Sequence, residues 1–153
     1  MERYALAKQR LFRMLKENGA ALVNSDDIYK DVFILEGNRN FTYGIDSGDF
    51  RAVNFEFGQG TLLSFYNGTG NFSVRTRLAG RYNVYNTMAV VGVLSILGYK
   101  GEEIVSALEG LTPPEGRCDI IPYKDNNIII DYAHTPDAID NIISTAKEFT
   151  EGN

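Results

Sequence analysis

Apolar residues recur at helical spacing over residues 3–17, where Tyr4, Ala7, Leu11, Phe12 and Leu15 share one stripe and Asn18-Gly19 supplies a C-terminal stop. Lys8 falls inside that stripe, whereas Lys16 and Glu17 fall toward solvent. Ala20 to Asn24 reads as a short buried strand, and Ser25-Asp26-Asp27 as the cap of a brief helix ending near Gly37. From Phe41 to Arg77 the period shortens to two. Phe41 to Ile45, then Val53, Phe55 and Phe57 alternating with Asn54 and Glu56, then Thr61 to Tyr66 and Phe72 to Arg77 predict strands. Gly58-Gln59-Gly60 and Asn67-Gly68-Thr69-Gly70 punctuate them as in an antiparallel meander. Helical spacing returns from Asn83 to Leu97 and at Ile104, Ala107, Leu108 and Leu111.

Thr112-Pro113-Pro114-Glu115-Gly116 cannot continue a helix and predicts a linker and a domain boundary. Beyond it, Arg117 to Tyr123 and Ile128 to Tyr132 predict two strands joined by Lys124-Asp125-Asn126-Asn127. Thr135 then caps a helix opened by Pro136, with Ile139, Ile142, Ile143, Ala146 and Phe149 as its apolar face. Strand, strand and helix are too little for a domain, so this stretch reads as the beginning of a larger one.

With 153 residues, 44% of them hydrophobic and 23% charged, the chain has the material for a core and does not read as disordered. The apolar run from Met88 to Gly98 is too short to span a bilayer, and the opening residues lack the features of a secretory signal. A net charge of −5 argues against nucleic acid as a partner. The single Cys118 offers no internal disulfide, which makes the cytoplasm the expected compartment and leaves three N-x-[ST] sequons without consequence.

The sharpest chemical signal is Ile128-Ile129-Ile130-Asp131-Tyr132-Ala133-His134-Thr135-Pro136-Asp137. An apolar strand delivers Asp131 at its carboxyl end, and a loop with the chain's one His opens a capped helix, the arrangement in which α/β proteins bind ligands. A carboxylate there suits ribose hydroxyls and the helix start suits an anion; the alternative is that Asp131 and Thr135 only cap and His134 fills a loop. In Gly80-Arg81-Tyr82-Asn83-Val84-Tyr85-Asn86, Asn83 and Asn86 share a helix face and could read an adenine edge, or could simply cap. Lys8 is either a snorkelling lysine or an amine held in a partly desolvated cleft. Arg117 could clamp phosphate or pair with Glu115 or Asp119. No G-x-x-x-x-G-K-[ST] loop, G-x-G-x-x-G fingerprint or G-x-S-x-G elbow occurs.

In order along the chain, Tyr4-Ala5-Leu6-Ala7-Lys8-Gln9-Arg10-Leu11-Phe12, Asn24-Ser25-Asp26-Asp27, Tyr43-Gly44-Ile45, Gly80 to Asn86, Gly116-Arg117 and Asp131 to Asp137 resemble the Mur ligase family, most closely its MurE type. The paired Asn and Gly-Arg occur also in folylpolyglutamate synthetases, whereas the Asp131 to Asp137 string is more specific. The resemblance implies an α/β fold: part of the central ATPase domain, a mixed sheet with an antiparallel meander and helices, over residues 1–111. A linker at 112–116 and the first β-β-α elements of a Rossmann-like, amino-acid-binding C-terminal domain over 117–153 would follow.

The implied activity is an ATP-dependent ligase of peptidoglycan synthesis, which joins an amino acid to UDP-N-acetylmuramoyl-dipeptide through an acyl phosphate. ATP and Mg2+ are its implied cofactors. Lys8 would be the lysine that becomes a carbamate and helps hold magnesium. Asn83 and Asn86 would line the adenine pocket, Arg117 would reach ATP phosphate, Asp131 would hold ribose, and Tyr132, His134 and Thr135 would line the same cleft. The family's UDP-binding domain, Gly-rich phosphate loop, metal-binding Glu and His and selectivity motif are not found in these residues. The chain therefore reads as an internal piece, expected to be inactive alone and to leave Lys8 unmodified. The alternative is a non-catalytic nucleotide-binding or interaction module prone to self-association.

Overall fold

The computed structural model describes residues 2–58, 60–124 and 126–148, so Gln59, Asp125 and Phe149, named above, lie outside the described residues. The chain runs α1 (Glu2–Phe12), β1 (Ala20–Asn24), α2 (Lys30–Phe33), β2 (Arg39–Gly44), β3 (Phe50–Gly58), β4 (Gly60–Tyr66), β5 (Asn71–Thr76), α3 (Arg81–Ile96) and α4 (Gly101–Glu109). It ends with β6 (Asp119–Tyr123), β7 (Asn126–Ile130) and α5 (Pro136–Glu148). Strands β1 to β5 form one sheet in that order, and β6 with β7 forms a separate antiparallel pair. This is the expected α/β arrangement with a mixed sheet.

The meander is narrower than the turn signals predict. β3, β4 and β5 are antiparallel, but β1, β2 and β3 run parallel. A loop as short as the one between Gly44 and Phe50 ordinarily signals a hairpin. Here Asp49 holds it in another shape: its Oδ2 accepts the Thr42 N–H at 2.8 Å and the Thr42 hydroxyl at 2.9 Å, while its own N–H reaches Thr42 Oγ1 at 3.1 Å. β3 therefore leaves alongside the end of β2, pairing only Tyr43 with Phe50 and Gly44 with Arg51.

Three expected faces depart from the pattern. In β3 a bulge between Ala52 and Asn54 shifts the buried face, so Phe50 and Ala52 are buried before it, Val53 is exposed, and Phe55 and Phe57 beyond it pack half-buried on the core as expected. In α1 the buried residue is Ala5, with Gln9 and Phe12 half-buried; Tyr4, Ala7 and Leu11 face out. The Gln9 amide donates to Val32 O at 2.5 Å and Phe12 stacks on Phe33, so α1 is aligned by α2 rather than by its own apolar count. In α5 the buried residue is Thr145, while Ile139 and Ile143 are exposed.

Helix α3 lies across β1, β2 and β3 and α4 against β5. The core between them holds Phe50, Leu63, Phe65, Val74, Val84, Met88, Val91, Ile104 and Leu108. Gly101 opens α4 where a Cβ would run into the Phe72 ring, so the close approach of α4 to β5 depends on the missing side chain. No helix among the described residues is long and apolar enough to cross a membrane.

Candidate functional site

The carboxyl ends of the parallel strands β1 and β2 meet the first turn of α3, the place where open α/β sheets expose their chemistry. β1 ends in Asn24-Ser25-Asp26-Asp27. The predicted cap is only partly there: α2 begins at Lys30 without a side-chain cap, and Asp27 instead accepts the Tyr29 N–H at 2.7 Å in a turn.

Asp26 does something else. Its Oδ2 accepts N–H groups of Ile45 at 2.7 Å and Asp46 at 3.1 Å and the Tyr85 hydroxyl at 3.2 Å, and its Oδ1 accepts the Ser47 hydroxyl at 3.3 Å. Burial raises the Asp26 carboxyl, but these donors outweigh it and hold the group below the usual carboxylate value. Burial, and after it the same Asp26 carboxylate, pushes the Tyr85 phenol up against the opposing pull of Arg81. Arg81 completes the cluster at 3.8 Å from Asp46.

On α3, the Asn83 amide donates to Ala79 O at 2.7 Å, and the Asn86 amide donates to Asn83 Oδ1 at 3.2 Å. The two share a face, as their spacing predicts; Asn86 retains a second amide hydrogen, whereas the Asn83 amide also serves the Tyr82 hydroxyl. Tyr82, beside them, has its hydroxyl inside the molecule. Burial drives the Tyr82 phenol strongly up, and the adjacent Cys118 thiol and the Asp131 carboxylate add to the shift.

Across the linker, Asp131 is committed to backbone. Its Oδ2 accepts the Cys118 N–H at 2.9 Å and its Oδ1 the Ala133 N–H at 2.7 Å. Cys118 is buried with φ 47, an unfavourable conformation that this carboxylate stabilises. Arg117 extends over the exposed Tyr132 ring at 5.9 Å. Nδ1 of His134 faces Tyr132 O at 2.9 Å, so Nδ1 carries the hydrogen and Nε2 can accept. Thr135 Oγ1 accepts the Ala138 N–H at 3.3 Å as the helix cap expected of it.

Tyr82 thus links its neighbour Asn83 on α3 to Cys118 and Asp131, and Arg117 stands beside this junction only through its contact with Tyr132. α5 closes it from another side: Thr145 packs so tightly on Gly80 that a Cβ there would lie 2.6 Å from Thr145 Oγ1. Lys8 is not part of that junction. Its ammonium lies 4.5 Å from the Tyr4 ring, and with Asp27 and Phe33 it lines two cavities of about 370 and 230 Å³. Among the described residues no three His, Cys, Asp or Glu side chains gather as a metal set. A larger cleft of about 790 Å³ opens between the β3–β4 turn and the β6–β7 pair, with Arg77, Asp119 and Asn127 on its walls.

No motif in the sequence assigns a separate role to Asp26, Tyr85 or Cys118. The available signal for Asp26 is a carboxylate two residues past a buried strand. For Cys118 it is the position two residues past Gly116, just before β6.

The family described as the Mur ligase middle domain matches residues 1–94. The chain belongs to the Mur ligase family. It is 40% identical over 146 residues to the UDP-N-acetylmuramoyl-L-alanyl-D-glutamate–2,6-diaminopimelate ligase of Chlamydia muridarum, covering 92% of this chain and 30% of that one. It is 37% identical over 159 residues to the corresponding L-lysine ligase of Staphylococcus haemolyticus, covering 99% of this chain and 32% of that one. Among solved structures, MurF from Acinetobacter baumannii superposes with a TM-score of 0.84 at 25% identity, over 94% of this chain and 32% of its own. The chain thus spans about a third of the length of the Mur ligase relatives it matches.

Proposed function

We propose that this Mur ligase chain carries the adenine and ribose side of the nucleotide site of a cytoplasmic, MurE-type ligase. Such an enzyme uses ATP to join an amino acid to UDP-N-acetylmuramoyl-dipeptide in peptidoglycan synthesis. The observation that carries the reading is that Tyr82, next to Asn83 on α3, faces Cys118 and Asp131 from beyond residues 112–116, with Arg117 beside them over Tyr132. MurE-type assignment is supported by the identity to the two tripeptide-forming ligases and by the Asp131 to Asp137 string.

In this reading residues 1–111 belong to the ATP-binding domain and 117–153 begin the amino-acid-binding domain. The second amide hydrogen and the carbonyl of Asn86, held in place by Asn83, meet the adenine edge. Asp131 keeps a lone pair on each oxygen for ribose while still holding Cys118 and Ala133. Arg117 swings from Tyr132 to phosphate, with His134 Nε2 and Thr135 at the helix start lining the same side. ATP supplies the phosphoryl group that would activate the substrate carboxylate, and these residues bind and orient it. The described donor set does not by itself fit magnesium. Lys8 is proposed as the lysine of the family's carbamate, unmodified in this chain because Asp27 beside it is not joined by further carboxylates or histidines into a metal set among the described residues.

The 153 residues hold no triphosphate cradle and should not turn over alone. Phosphate release should stay at background when ATP, magnesium and the muramoyl-dipeptide are supplied. Release at the rate of an intact ligase would contradict this reading, and a mass increase of one carboxyl group on Lys8 would contradict its unmodified state.

A second reading, self-association, is favoured by the open edge of β1 and by Leu11, Met14, Ile28, Ile139 and Ile143, all exposed. Sedimentation of a strictly monomeric, folded species would exclude it.

A further inference from the structure

We propose that Asp26, acting through Tyr85, is the positioning residue that sets the orientation in which α3 presents Asn83 and Asn86 to a purine. The proposal rests on the nucleotide reading above.

Asp26 sits where β1 ends, and its carboxylate gathers donors from two other segments, the 45–47 turn and α3. The turn is rigid in its own right. The Ser25 hydroxyl reaches Tyr43 O at 3.0 Å and Ser47 O at 2.7 Å, and the Lys30 ammonium reaches Ser25 O at 3.1 Å. A Cβ on Gly44 would collide with the Ser25 hydroxyl, with Ser47 O at 2.5 Å and with Asp26 Oδ2 at 2.7 Å, so nothing but glycine lets the strand end pass this close. Asp26 is thus itself held, which is what a positioning group requires.

The link to α3 is the Tyr85 hydroxyl. At about 100° per residue, Tyr85 lies on a different side of the helix from Asn83 and Asn86. Tying that side to the end of β1 fixes the rotation of the first turn about its axis, and with it the direction of both amides. The Arg81–Asp46 contact at 3.8 Å acts in the same sense, joining the start of α3 to the same turn. Two hydrogen-bonding amides distinguish adenine from guanine only when their donors and acceptors are aimed to within hydrogen-bond tolerance. A helix free to rotate would bind purines with little preference.

Two conservative variants of the full 153-residue chain test this. Tyr85→Phe removes the link to α3 and leaves the Ile45 and Asp46 contacts of Asp26 intact; Asp26→Asn weakens the whole cluster. Each is read in two ways: the side-chain amide resonances of Asn83 and Asn86 in the free protein, and the ratio of ADP to GDP affinity by calorimetry. Both variants should move the amide resonances and lower the ADP/GDP ratio by about threefold or more, the scale of one misaligned hydrogen bond. Should Asp26→Asn fail to fold, Tyr85→Phe decides alone. Unmoved Asn resonances in folded Tyr85→Phe, or equal losses for ADP and GDP, would overturn the proposal. Moved resonances in a chain whose wild type takes up neither nucleotide would support the positioning role and defeat the nucleotide reading.

Discussion

Asp26 shows how much of a site can rest on one carboxylate with several donors. Its folded-state value lies below the ordinary value of 3.8, because hydrogen bonds from Ile45, Asp46, Tyr85 and Ser47 overcome the effect of burial. A depressed carboxyl contributes stability that is present above the unfolded value and is lost as pH falls through the folded one. The difference in unfolding free energy between wild type and Asp26→Asn, from urea melts, should therefore narrow as pH falls below about 4. A difference that stays constant down to the acid transition would contradict this. The sequence shows Asp26 as one acid in a capping run. Nothing local distinguishes it from Asp27, because its partners lie 19 and 59 residues away. Thr135, whose partner is local, was legible as a cap directly.

At the scale of elements, the order of helices and strands was readable because each carries its own period and stops. The faces were less so. Val53, Phe55 and Phe57 alternate perfectly in the sequence, and Phe55 and Phe57 do pack on the core, yet the bulge after Ala52 leaves Val53 exposed, and a bulge leaves no mark in a hydrophobic count. The apolar stripe of α1 was misread because α2 covers only the Ala5–Phe12 side. The parallel start of β3 depends on Asp49 and Thr42, a pairing no turn rule anticipates.

Close packing gives a test at this scale: Gly101→Ala drives a methyl group into the Phe72 ring where α4 meets β5. It should cost about 1–3 kcal/mol in chemical denaturation, the usual range for overpacking. Truncating Met88, on the buried face of α3, to Ala should cost about 2–5 kcal/mol by the same measurement. Losses below about 0.5 kcal/mol for both would mean that these helices do not pack as described.

For the whole molecule, the decisive feature is that the chain after the linker returns to the start of α3. Asp131 fastens Cys118, Cys118 lies against Tyr82, and Thr145 fills the space above Gly80. The sequence placed Asn83 and Asp131 in separate motifs, and only the family resemblance suggested a common ligand. The contacts that join them are a positive-φ cysteine and a threonine that the apolar pattern left out. Lys8, by contrast, remains apart at its cavities beside Asp27. Calorimetric titration of ADP into the 153-residue chain and its Asn86→Ala variant tests whether the junction at α3 is a purine-nucleotide site. The wild type should bind ADP and the variant should bind it about threefold or more weakly; a wild type that takes up no ADP, or a variant that binds it equally well, would contradict the account.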